Sequence, residues 1–148
     1  MKDRLPVLIT DHVMAIVDYL ETYLGTLAHP VPVGFGERPV AADKSFEEPP
    51  YAMVTVWGGG QTSGPLDDTQ ADIILPIMIV SNGNTAHEAS VLRDIIHAQM
   101  QASNFAVANR KVRDVRTQGV TDGIFRDDDV PTPIHYTRQV YLMDTTPA

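Results

Sequence analysis

Two strand-like runs, Pro50-Tyr-Ala-Met-Val-Thr-Val-Trp57 and Thr69-Gln-Ala-Asp-Ile-Ile-Leu-Pro-Ile-Met-Ile-Val80, flank a glycine loop, Gly58-Gly-Gly-Gln-Thr-Ser-Gly64. The first run has Ala52, Val54 and Val56 on one face and Tyr51, Met53 and Trp57 on the other. Apolar side chains on both faces predict a central strand covered on both sides. The second run is equally apolar, but Pro76 has no amide proton for a ladder, which predicts an edge position or a bulge there. Together they predict a long hairpin with its tip at Gly58–Asp68. After the turn Ser81-Asn-Gly83, an amphipathic helix is expected from Thr85 to about Gln101. Thr85 can accept from the amide at position 88 while Glu88 reaches back, a capping box. Ala89, Leu92, Ile96 and Met100, joined by Val91 and Ile95, are its sheet-facing residues.

Upstream, Ile9, Val13, Ile16, Val17, Leu20 and Leu24 repeat at helical spacing, with Pro6 suited to the first turn and Gly25 to the stop. This predicts a helix over Pro6–Leu24, with Asp11, Asp18 and Thr22 on its outer face. The proline-rich stretch Ala28–Pro50 allows one short edge strand, Val31–Phe35, and otherwise reads as a long loop, Glu37–Pro50. A loop of that length in a compact domain usually has a role, such as contacting a partner. Downstream, strands are expected over Arg110–Thr117 and Ile134–Met143, with a polar loop between them and a frayed tail from Asp144. The expected fold is α+β: a mainly antiparallel sheet of four to five strands, with two amphipathic helices packed on it, as one domain over residues 1–148.

At 148 residues, with 43% hydrophobic and 20% charged side chains, the composition is that of an ordinary globular domain. There are no cysteines, so disulfides and thiolate metal sites are excluded. No stretch has the apolar core of a signal peptide or the ~18 apolar residues of a membrane helix. Eleven basic against nineteen acidic side chains give a net charge of −8, which disfavours gripping nucleic acid. Arg110, Lys111, Arg113 and Arg116 are a local exception. They suit the solvated face of a strand, charge pairing with an acidic neighbour, or a phosphate contact, although no aromatic residues interleave to stack bases.

No complete chemical motif is present. His87-Glu88 would need a second histidine where Val91 stands, and His87 and His97 lie off a common helical face. Gly34-Phe-Gly36 meets Pro39 where a dinucleotide loop would want its third glycine, and Gly58–Gly60 lacks the lysine of a phosphate loop. Asp127–Asp129 lacks the glycine bend and closing glutamate of a calcium loop. No serine stands in a nucleophile context. The expectation is no catalytic residue, no cofactor and no metal.

The order helix, proline-rich loop, hairpin, helix, two closing strands resembles the tail-terminator (tail-completion) proteins of long-tailed, siphovirus-type bacteriophages. The similarity is carried by Pro50-Tyr-Ala-Met-Val-Thr-Val before a glycine loop and by Asp72-Ile-Ile-Leu-Pro-Ile-Met-Ile-Val80 leading into a helix with Ala86, Ala89 and Leu92. Asp127-Asp-Asp-Val-Pro-Thr-Pro before an alternating last strand, Ile134–Leu142, completes it. The resemblance implies a homohexameric ring at the head-proximal end of the tail, assembled in the host cytoplasm. That ring would end polymerisation of the major tail tube protein and present a surface to a head-completion or neck protein. Double-stranded DNA would traverse it without specific binding, past walls carrying a formal charge of roughly −48 for six copies of a −8 chain. Another neck component, or a small cytosolic ligand-binding or enzymatic α+β domain, are the alternatives. The candidate subunit and partner contacts are Glu47 and Glu48, the segment Trp57, Gly58, Gly59, Gly60, Gln61, Asp67 and Asp68, and the basic residues Arg110, Lys111, Arg113 and Arg116.

Overall fold

The computed structural model describes residues 9–56, 61–62, 73–101, 107, 110–117 and 123–147. Its elements in chain order are α1 (Ile9–Leu24), β1 (Val33–Phe35), β2 (Tyr51–Val56), β3 (Gln61–Thr62), β4 (Ile73–Gly83), α2 (Ala86–Gln101), β5 (Arg110–Thr117), β6 (Phe125–Asp127) and β7 (Ile134–Pro147). The fold is α+β, with both helices on one face of a single sheet. The main path of that sheet is β1-β2-β4-β7-β5, with β3 paired to β4 and β6 to β7. Seven strands exceed the four or five expected. The sheet is also mixed, because β1 runs parallel to β2 while every other pair is antiparallel.

The alternation along β4 decides the two faces. Ile73, Leu75, Ile77 and Ile79 are each at most 1% exposed, whereas Ile74, Pro76 and Met78 between them are only half-buried. Period-two burial places the first set under the helices and the second on the opposite face. Val54 opposite Ile79, Tyr141 opposite Ile77 and Met143 opposite Leu75 extend the helix-side layer across β2 and β7. Onto it α1 packs Val13, Ile16, Val17, Leu20 and Leu24, and α2 packs Leu92, Ile96 and Met100. α1 lies over β1 and β2, and α2 over β4, β7 and β5.

Several expectations need correction. Pro76 does not lie at an edge: β4 is central, with β7 along its whole length, although on the other flank the register shifts by two residues between Ile77 and Ile74. Pro76 falls where the other flank changes partner, between β2 ending at Ile77 and β3 ending at Ile74. Among the described residues Pro76 has no partner on that flank, which suits a residue that cannot donate to a ladder. The tail is not frayed, since β7 continues to Pro147 and Thr145 is wholly buried. In the α2 cap, the Glu88 amide donates to Thr85 Oγ1 at 3.1 Å as expected. The Glu88 carboxylate, however, accepts from the amide of Asn84 at 2.8 Å, one residue upstream of the capping-box partner. Val91 is 42% exposed and does not face the sheet.

β2 lies inside the sheet as its two-faced pattern predicts, and Val54 is fully buried. Placing a carboxylate there buries an unpaired charge, at an effective cost of several kcal/mol, out of the ~5–15 kcal/mol that holds a typical domain. Val54→Asp is therefore expected to leave the protein insoluble or unfolded. Soluble yield and thermal melting check this, and wild-type behaviour would contradict the placement.

Candidate functional site

The Glu37–Pro50 segment is a folded hairpin rather than an open loop. Gly36 adopts φ +70°, which favours glycine, and a side chain at Gly34 would collide with the Glu37 carbonyl where the chain doubles back. These two glycines therefore shape a turn. Val40 bridges Phe46 in antiparallel fashion, the Glu47 amide donates to Pro39 O at 2.9 Å, and the Ala41 amide donates to Ser45 O at 2.8 Å. At the tip, Asp43 Oδ1 accepts from the Ser45 amide and hydroxyl, which holds its carboxyl below the ordinary carboxylate value. Arg38 locks the base: its guanidinium lies 5.4 Å from the Phe46 ring centre and 5.2 Å from that of Tyr51, and Nε donates to Glu47 O. Burial pushes the Tyr51 hydroxyl above its ordinary pKa, with Arg38 pulling the other way, so it stays protonated at neutral pH. Glu48 is 83% exposed, 3.9 Å from Arg38, while the backbone of Glu47 is bonded within the hairpin through its amide and carbonyl. Phe46 is 63% exposed and Val40 51%.

Of the second candidate segment, only Gln61 lies within the described residues. It pairs with Ile74, so the hairpin tip is tied back to β4 at that point. Trp57, Gly58, Gly59, Gly60, Asp67 and Asp68 lie outside the described residues.

The basic strand divides. Arg110 is only 7% exposed, and it donates to Thr145 Oγ1 at 3.0 Å and Thr145 O at 3.2 Å, so it is a core residue and not a surface contact. The same hydroxyl lies 2.9 Å from Nε2 of His12, which is fully buried on α1. This polar knot joins α1, β5 and β7. Lys111, Arg113 and Arg116 are exposed, as is Asp114. Arg116 pairs with Asp114 at 2.6 Å and Arg113 with Asp144 at 3.9 Å. The exposed Arg116–Asp114 pair contributes ~0–1 kcal/mol, whereas in the other pair Asp144 is 14% exposed and only Arg113 is open to solvent. Among the described residues no strand pairs with the outer flank of β5. Charges along β5 and a register shift between Val112 and Asp114 are devices that discourage a foreign strand from adding there.

A feature that sequence reasoning missed lies on the face opposite the helices. There Tyr51, Met53, Val80, Asn82, Tyr136 and Arg138 line a cleft of ≈680 Å³, together with Ile134, Arg126 and Asp127–Asp129. Phe125 stacks on Tyr136, with centroids 5.5 Å apart, and the Arg138 guanidinium lies 5.1 Å from the Phe125 ring centre. Its charges are mixed, and Arg126 already pairs with Asp128 at 2.6 Å. Among the described residues, no three His, Asp or Glu side chains converge as metal ligands. The cleft could be found only once β2, β4, β6 and β7 were in register, because its lining comes from residues as far apart as Tyr51 and Arg138.

No family model matches the sequence, and no curated protein matches it. Among solved structures, the fold is similar to that of a chain from the virion of a native gene transfer agent particle. The identity is 10% and the TM-score 0.59, over 95% of this chain and 99% of that one. At such low identity the likeness is one of fold, and it runs through almost the whole of both chains.

If Thr145 joins α1 to β5 and β7, Thr145→Val keeps the shape but removes the hydroxyl that meets two buried groups, Arg110 and His12, at a cost of about 1–3 kcal/mol. The melting temperature should fall by several degrees. An unchanged melting curve would mean that the polar knot contributes nothing.

Proposed function

We propose that this chain is a structural virion protein, a single domain that caps the tail tube of a long-tailed phage as a ring and offers a surface for head joining. The observation that carries the proposal is the near end-to-end likeness of fold to a virion chain. It supports a virion role; the tail-capping part of the proposal rests on the tail-terminator resemblance of the β2–β4 and β7 segments. The net charge of −8 suits a subunit that DNA passes without binding, and the lack of a complete nucleophile, ligand or phosphate motif suits a structural role. On this reading the partners are further copies of the chain in a six-membered ring, the major tail tube protein below and a head-completion protein above.

The mixed-charge cleft favours one other reading, a small ligand-binding domain, because it supplies the concave polar site such a domain needs. The two separate cleanly. Purified protein added to polymerising tail tube protein should stop tube growth and bind tube ends in about stoichiometric amounts. Tube lengths unaffected by the protein, together with saturable binding of a small metabolite by a monomer, would overturn the structural reading.

A further inference from the structure

We propose that the two ends of the sheet are complementary halves of one contact, so that the 36–50 hairpin of one copy docks on the β5 face of the next. This rests on the ring reading above and names the surfaces that would close the ring. The hairpin lies at the end of the sheet where β2 and β7 begin: Asn84 donates to Pro49 O, and Arg38, Phe46 and Glu48 stand beside Val130–Thr132 and Ile134. β5 pairs with the far end of β7, from Tyr141 to Pro147. The seven strand steps from Ile134 to Tyr141, about 3.4 Å each, span roughly 24 Å, about three times the ~8 Å over which charges act at physiological salt. Within one chain the two surfaces therefore cannot neutralise each other.

Their chemistry is opposite. The hairpin carries Glu37, Asp43, Glu47 and Glu48 against Arg38 and Lys44, and Arg38 is already held between Tyr51 and Phe46. β5 exposes Lys111, Arg113 and Arg116 against Asp114 and the mostly buried Asp144 of β7, a surplus of one positive charge. The hairpin also presents Phe46, 63% exposed, beside Val40. Exposed apolar side chains ringed by charge are the usual make-up of a contact surface. A guanidinium can stack on an aromatic ring while bonding a carboxylate, and β5 supplies two arginines for that task. The charged, bulged edge of β5 argues against backbone strand addition, so the contact is made by side chains. Two different surfaces at opposite ends of a subunit make a heterologous contact, the kind that propagates head to tail and closes into a ring.

The test uses the full chain, alone and with tail tube protein, measured by size-exclusion chromatography with light scattering. Two variants reverse one surface each: Glu37→Lys with Glu48→Lys, and Arg113→Glu with Arg116→Glu. Their folds are checked by melting. Wild type should form rings that weaken with added salt. Each variant alone should associate roughly tenfold more weakly or worse, since like charges then face each other. Mixed one to one, the variants should recover assembly, because each reversed surface meets its complement. Folded variants that assemble like wild type, or a mixture that fails to recover, would overturn the pairing while leaving the ring reading intact. Assembly that survives both reversals but is lost in Phe46→Ser would identify a hairpin-to-hairpin contact and also overturn it. Wild type that stays monomeric even with tube protein would overturn the ring reading and the pairing together.

Discussion

The antiparallel pairing of β4 with β7, unbroken from Ile73 opposite Thr145 to Gly83 opposite His135, is the constraint on which the other elements depend. β2 and β3 attach to the free flank of β4, and β5 and β6 to the free flank of β7. The register decides which side chains meet the helices. A slip of one residue would turn Ile73, Leu75, Ile77 and Ile79 to the open face and bring Pro76 and Met78 under α1 and α2. With the register as it stands, the isoleucines, Tyr141 and Met143 form one apolar layer. The alternate residues, from Tyr51 and Asn82 to Tyr136 and Arg138, are left to line the cleft.

The core is not purely apolar, and its polar members serve as joints. Thr145 on the last strand offers one hydroxyl to Arg110 of β5 and stands beside His12 of α1, groups brought together from both ends of the chain. Buried polar groups must find partners, so such a knot sets the position of α1 on the sheet more narrowly than apolar contacts alone. Tyr141 and His97 make a second joint, between β7 and α2, 3.0 Å apart. Burial raises the Tyr141 hydroxyl above the ordinary tyrosine range, so it acts as a neutral hydrogen-bonding group in the core.

Much of this was legible in the sequence, because alternation and helical periodicity are local signals. Both helices could be read from apolar spacing with their capping signals and β2 from its two-faced pattern, whereas Pro76 argued against the central place that β4 takes. What escaped was set by contacts between distant residues. The strand beyond Met143 looked like a frayed polar tail because Asp144-Thr-Thr carries no apolar pattern, yet Thr145 is buried by partners 35 and 133 residues away. Arg110 looked like a member of a basic surface for the same reason. The hairpin at 36–50 was read as a loop awaiting a partner, because prolines hide its backbone pairing. Its brace, Arg38 between two aromatic rings, has no sequence signature. The two acidic and basic segments proposed as contacts were visible as charge clusters. Their position at opposite ends of one sheet was not.

Virion membership is the central claim, and the most direct measurement is immunogold labelling of intact particles with antibody raised against this chain. The account predicts label confined to the junction between tail and head, on every particle that carries a complete tail. Particles without label, with the protein found only free in the host cell fraction, would contradict it.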